Sequence, residues 1–339
     1  MDDRTGLSGR AYFERIAAEL RPGMAFRAES VDEWEEWRAG LVRQLKDLIG
    51  AFPERRVPLD PRTLDERDEE RYTRRRIIFQ SEPGVLVSAY LLLPKTRRFG
   101  ERTPAVLCLH GHGRGKDDVT GIAPSLKERQ RRIRPLNYDY GHQLAERGYI
   151  VLIPDARAFG ERGEDGMDCA WASTTALLLG KTLVGLRTWD AIRAIDYLQS
   201  REDVDPDRIA CVGLSWGGTH TMYTAALDER VRVAVISGAF GTFKDTLIDA
   251  PECPCQYVPH LLRHADLPDV VSLIAPRPLL IESGTGDQHH TNEVVRDAYR
   301  DVRRAYRVLS AEDRVDIDVF AGGHRFNGEK AFPWLERWL

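Results

Sequence analysis

Ser215 stands in Gly213-Leu214-Ser215-Trp216-Gly217, behind the apolar run Ile209-Ala210-Cys211-Val212 and ahead of the helix-forming segment Gly217-Gly218-Thr219-His220-Thr221-Met222-Tyr223. A bare Gly-x-Ser-x-Gly arises by chance in about one chain of ten. Its placement between a strand and a helix is more specific, because that setting bends the backbone sharply and lifts the serine hydroxyl above a sheet edge. Glycines on either side let neighbouring backbone pack closely around the bend. The alternative reading is an ordinary tight turn.

A serine hydroxyl is a poor nucleophile at neutral pH and needs a base to take its proton. In a strand-turn-helix elbow of this kind the expected chain order is Ser, acid, His. His324, in Ala321-Gly322-Gly323-His324-Arg325-Phe326, is the one histidine downstream of the last strand-like run. The acid expected to orient it is Asp287, at the end of Ile281-Glu282-Ser283-Gly284-Thr285-Gly286-Asp287, with Glu282 the second choice. A tetrahedral intermediate would need two backbone N–H donors. The first is expected from Trp216, the second from His112 or Gly113 in the loop His110-Gly111-His112-Gly113-Arg114-Gly115. That loop lacks the spacing of a dinucleotide fingerprint. Phe159 and Tyr257 are expected to touch substrate, although each could equally be core. Cys253-Pro254-Cys255 with His260 and His264 could be read as soft metal ligands. The surrounding prolines favour a pocket wall, so no metal and no cofactor is expected. His289-His290 reads as a loop pair near Asp287.

These residues must be held by a scaffold, and the apolar pattern supplies one. A strand pair is expected from Ile77-Ile78-Phe79, a turn at Pro83-Gly84, and Val85 to Leu93, closed by Pro94. Six further short apolar runs begin at Ala105, Tyr149, Ile209, Val231, Pro278 and Val315. They alternate with helical segments near 138–147, 176–200, 217–228, 290–308 and 329–338, the pattern of a mostly parallel sheet covered on both faces. The run at Val315 alternates polar and apolar residues and suits an edge. Residues 1–70 read as a helical N-terminal extension, with Trp34, Trp37, Leu41, Leu45 and Leu48 at helical spacing. The catalytic domain would then be 71–339. The connection 238–275, with Pro251, Pro254, Pro259 and Pro268, is far longer than usual and reads as an insertion shaping the pocket, or as a covering helix with long loops.

Lys and Arg number 49 against 53 Asp and Glu, a formal charge of −4, which offers no electrostatic footprint for nucleic acid. Two arginine-rich stretches, 71–76 and 129–134, are flanked by acidic residues and read as charge-balanced surface. The start Met1-Asp2-Asp3-Arg4 has no apolar leader, no run of about 18 apolar residues occurs, and five cysteines are few and odd in number. A cytoplasmic location away from membranes is expected.

The motifs together resemble the dienelactone hydrolase and acetyl xylan esterase-like branch of the α/β-hydrolases, over roughly residues 75–339. They are His110-Gly111-His112-Gly113, Pro154-Asp155-Ala156-Arg157-Ala158-Phe159-Gly160-Glu161-Arg162, Trp189-Asp190, Asp196-Tyr197-Leu198, Gly213 to Gly218, Ala275-Pro276-Arg277-Pro278 and Gly322-Gly323-His324. The resemblance implies the α/β-hydrolase fold, hydrolysis of a small-molecule ester, often an acetylated sugar, and no cofactor. Dienelactone hydrolases proper use a cysteine nucleophile, so Ser215 points toward a carboxylesterase. A serine peptidase of the same fold and a non-catalytic binding protein are the alternatives.

Overall fold

The computed structural model describes residues 8–96, 100–163, 168–250, 252–289 and 291–339. In chain order the elements are α1 (Gly9–Glu19), α2 (Val31–Leu48), β1 (Arg62–Asp68), β2 (Tyr72–Glu82), β3 (Val85–Pro94), β4 (Thr103–Leu109), α3 (Lys116–Thr120), α4 (Leu126–Glu128), α5 (Tyr140–Glu146) and β5 (Ile150–Pro154). They continue with α6 (Cys169–Leu178), α7 (Leu183–Gln199), β6 (Val204–Leu214), α8 (Trp216–Leu227), β7 (Val233–Ser237), α9 (Leu267–Ser272), β8 (Leu279–Gly284), α10 (Asn292–Val308), β9 (Val315–Phe320) and α11 (Ala331–Trp338).

One nine-stranded sheet runs in the order β1-β2-β3-β5-β4-β6-β7-β8-β9. The first three strands are antiparallel, and β3 also meets β5 antiparallel; the six from β5 to β9 are mutually parallel. Side chains alternate across the sheet, so the continuous apolar runs serve two cores. Leu107, Leu109, Ile209 and Cys211 face α2, α7, α8, α9 and α10. Val106, Cys108, Ala210 and Val212 face α3, α5 and α11. β9 closes one edge, where its alternating sequence leaves the middle four residues half-buried. The mostly parallel, doubly covered sheet is the one expected from the pattern of runs, and it agrees with the α/β-hydrolase fold that the resemblance implied.

Three details differ from expectation. The helical N-terminal segment ends at Leu48, and residues 62–68 are a strand, β1, at the sheet edge. Nor do the helices stand apart: Trp34, Leu41, Leu45 and Ile49 are buried in the larger core. A Cβ on Gly185 of α7 would lie 2.2 Å from the Ile49 carbonyl oxygen, so the end of α2 rests on α7. The expected helix 176–200 is two helices, broken at Gly180, whose φ of +69° suits glycine. Residues 72–76 of the arginine-rich stretch lie in β2, where Arg75 and Arg76 stand opposite Glu66 and Asp65 of β1. Glu66 accepts a hydrogen bond from Arg75, and Glu69 one from Arg74. Opposite charges across an antiparallel pair explain why this sequence forms a strand despite its polarity. Among the described residues no single helix is long and apolar enough to cross a membrane.

Candidate active site

Ser215 has φ +60° and ψ −130°, a left-handed conformation that a non-glycine residue adopts only under strain. The strain is held by close backbone packing. A Cβ at Gly213 would lie 2.1 Å from the Gly217 oxygen, and one at Gly217 would lie 2.0 Å from the Leu109 oxygen. No larger residue fits either place. The amide of Ser215 donates to Ser237 at the end of β7, which ties the elbow to the next strand.

His324 and Asp287 meet on loops leaving β9 and β8. The two loops are stitched by the Thr285 amide donating to Phe320 and the Gly286 amide donating to Gly322. His324 Nδ1 lies 2.8 Å from Asp287 Oδ2. A carboxylate accepts, so Nδ1 carries the proton and Nε2 is left as the proton acceptor. The amide of His289 donates to the other Asp287 oxygen at 2.9 Å, and the His289 ring packs at 4.8 Å from that of His324. His289 Nδ1 is 2.7 Å from Glu252 Oε1. His290 lies outside the described residues. Gly238, with φ +56°, makes room for the imidazole: a Cβ there would sit 3.0 Å from His324 Cε1.

Glu282 takes a different place. It is buried at the end of β8 and accepts from the amides of Asn327 (3.1 Å) and Gly328 (2.9 Å). Burial pushes its carboxyl up to about 7, against the lowering effect of those amides. It braces the loop that follows His324, whereas Asp287 holds the imidazole itself.

The loop after β4 is clamped from below. Arg114 donates its amide to Asp118 Oδ2 at 2.7 Å and its guanidinium to Asp118 Oδ1. Asp155 accepts from the amides of Lys116 (2.8 Å) and Glu161 (3.0 Å) and pairs with the buried Lys116 ammonium. That network joins the loop after β4 to the one after β5. His110 is buried and accepts from the Ala156 amide at Nε2, so it is a structural, neutral imidazole whose basicity burial lowers. Gly111 abuts Ser215: a Cβ there would lie 3.1 Å from Ser215 Cβ. His112 follows directly.

Ser215 and His324 open on one cavity of about 500 Å³ including its mouth. Its wall includes Trp216, Thr219 and Tyr223 of α8, then Phe243, Leu247 and Gln256 of the long connection. Phe159 and Tyr257 do not line it. Phe159 packs against His112, Trp216 and the Arg187 guanidinium, and the Tyr257 hydroxyl donates to the Leu247 carbonyl at 2.6 Å. Both are wall supports, drawn there by their polar and aromatic partners. Thr219, Tyr223, Glu252 and Gln256 carried no sequence signal, since only tertiary packing turns them toward the serine.

Beside Trp216 lies a second cluster. His112, Cys169, Cys253 and Cys255 bring their ligand atoms within 4.8 Å of one another. The partners of the two connection cysteines are thus His112 and Cys169, and not His260 or His264, which flank a separate helical turn at Leu261–Arg263.

Residues 1–329 match the model of the Abhydrolase family. The candidate hydrolase YtaP of Bacillus subtilis (strain 168) is 32% identical over 313 residues, covering 89% of this chain and all of that protein. A Bacteroides fragilis NCTC 9343 protein described as a candidate acetyl xylan esterase superposes with TM-score 0.82 at 21% identity, covering 98% and 95% of the two chains. A glucuronoyl esterase from Solibacter usitatus superposes with TM-score 0.70 at 15% identity, covering 94% and 98%. With a family match over nearly its whole length and a strained serine elbow in the same fold, the chain belongs to the abhydrolase family.

Proposed function

We propose that this protein hydrolyses small carboxylic esters through an acyl-enzyme on Ser215. The observation that carries the reading is a strained serine sharing one cavity with an imidazole already oriented by a buried carboxylate. Ser215 Oγ attacks the ester carbonyl while His324 Nε2 takes its proton. Asp287 keeps the imidazole in the correct tautomer and balances the imidazolium. The amides of Trp216 and His112 receive the oxyanion, and His324 then returns the proton to the departing alcohol. Water, deprotonated by the same imidazole, attacks the acyl-enzyme and frees the acid.

The wall suggests where each half of the ester lies. Phe243, Leu247 and Tyr223 suit a short acyl group, while Thr219, Gln256, Glu252 and His289 offer partners to a hydroxylated alcohol such as a sugar. The esterases named among the fold neighbours support that choice of alcohol. We further propose residues 71–339 as the catalytic domain, with 238–275 as its pocket-shaping insertion, and the cytoplasm, where thiols stay reduced, as its place of action.

Acetyl to octanoyl nitrophenyl esters, acetylated sugars and peptide nitroanilides assayed together, with fluorophosphonate labelling, test the reading. Short acyl esters are expected to turn over fastest, with label on Ser215. Full activity in Ser215→Ala, or faster cleavage of the anilides, would overturn it.

A further inference from the structure

The cluster beside Trp216 is not used in that chemistry. Its four side chains come from three separated segments: His112 from the loop after β4, Cys169 from the first turn of α6, and Cys253 and Cys255 from the long connection. The Cys255 and Cys169 sulfurs lie 3.5 and 3.9 Å from His112 Nε2. A tetrahedron with arms of about 2.3 Å to sulfur and about 2.0 Å to nitrogen has sulfur–nitrogen edges of about 3.5 Å. The Cys255 separation matches that edge and the Cys169 one exceeds it by about 0.4 Å, so small side-chain shifts would close the four ligand atoms around one small ion.

Charge points the same way. Arg187 is fully buried, and among the described residues no carboxylate forms an ion pair with it. Its guanidinium donates to the Arg157 carbonyl and to Cys169 Sγ (3.3 Å), and it lies 4.2 Å from the Trp216 ring, while Nη1 has no partner. A buried cation needs a nearby anion. A dication held by three thiolates and a neutral imidazole carries a net charge of −1, which would supply it. Three thiols converging beside one imidazole also exceed what a disulfide would use.

We propose that His112, Cys169, Cys253 and Cys255 bind one zinc ion in a closed, structural Cys3His site. Binding releases the three thiol protons to solvent, with no redox change. The ion pins the loop that carries the His112 amide, the start of α6 and the Cys253–Gln256 cavity wall to one another across Trp216. Four protein ligands leave no position for water, so the ion fixes geometry and takes no part in acyl transfer. The proposal is independent of the esterase reading.

The test is metal content of untagged full-length protein, purified without chelators. About one zinc per chain is expected, released as a mercurial titrates the thiols, and Cys169→Ser and Cys255→Ser are expected to lower it about tenfold or more. Ser215→Ala is expected to keep it. Because the cysteine variants could misfold, wild-type protein stripped of metal and reloaded with cobalt gives a second readout: thiolate-to-cobalt absorption with the visible bands of a tetrahedral site. Protein that holds less than about a tenth of an equivalent after anaerobic loading overturns the proposal. So does zinc retained in both cysteine variants, or a disulfide among these cysteines in protein purified anaerobically. None of these outcomes depends on ester turnover.

Discussion

Glu282→Gln separates the two carboxylates that sequence alone left in competition. Glu282 has its folded-state pKa raised by burial to about 7, against 4.5 in the unfolded chain. Between those values the folded state holds a proton that the unfolded state has lost, so stability falls as pH rises from 4.5 and levels off above about 7. The difference of 2.5 units corresponds to about 3 kcal/mol at 1.36 kcal/mol per unit. Glutamine cannot ionise, so it removes this dependence. Its amide can accept from only one of the Asn327 and Gly328 N–H groups, a loss of about 1–3 kcal/mol that is the same at every pH. Urea unfolding of both proteins at a series of pH values should show the variant less stable near pH 4.5. The gap should then move by about 3 kcal/mol in the variant's favour by pH 7.5. Ester turnover at pH 8 should stay within about tenfold of wild type, because Asp287 holds the imidazole. A gap that does not change with pH would refute the buried-carboxyl argument. A thousandfold loss of turnover in folded Glu282→Gln would make Glu282 the acid and refute the assignment of Asp287.

Asp287→Asn should lower kcat by about 10³- to 10⁴-fold with little change in KM, because the amide favours the wrong imidazole tautomer; a loss under about tenfold would remove it from the mechanism. Gly217→Ala should abolish soluble expression or lower Tm strongly, since its Cβ would sit 2.0 Å from the Leu109 oxygen, whereas Gly9→Ala, with nothing within 4 Å, should leave Tm unchanged. Leu41→Ala, at a fully buried position of α2, should destabilise the whole protein by about 2–5 kcal/mol in urea unfolding. A change below about 0.5 kcal/mol would show that the N-terminal helices fold apart from the sheet. Leu247→Ala should shift the acyl preference toward longer chains, read as the ratio of kcat/KM for octanoyl and acetyl esters; an unchanged ratio would place the acyl group elsewhere in the cavity.

The residues of the candidate site that the structure brings together were legible in sequence where backbone geometry demands particular residues in order. Ser215 between its glycines, and Asp287 and His324 on the loops of the last two strands, follow from local strand-turn signals plus chain order. The parallel strands were legible because burial on both faces leaves an unbroken apolar run. β1 was not, because Arg62–Asp68 is fully exposed and polar, and it is a strand through its pairing with β2. The attachment of α2 was equally invisible, since periodicity reveals an apolar face without naming what it packs on. Phe159 and Tyr257 look like pocket residues by type and loop position, yet the Trp216 and Arg187 faces and the Leu247 carbonyl hold them in the wall.

Sequence by itself singled out Ser215 and His324, the proposed nucleophile and base, and the layered sheet, because each is marked by residues adjacent along the chain or by a repeating apolar pattern. Only tertiary structure decided that Glu282 braces a loop while Asp287 orients His324, since the two differ by a few residues in sequence but by burial and partners in space. It likewise decided that Cys253 and Cys255 meet His112 and Cys169 in place of the nearer His260 and His264. Ligand atoms converge by the folding together of distant segments, and spacing along one segment carries no trace of that.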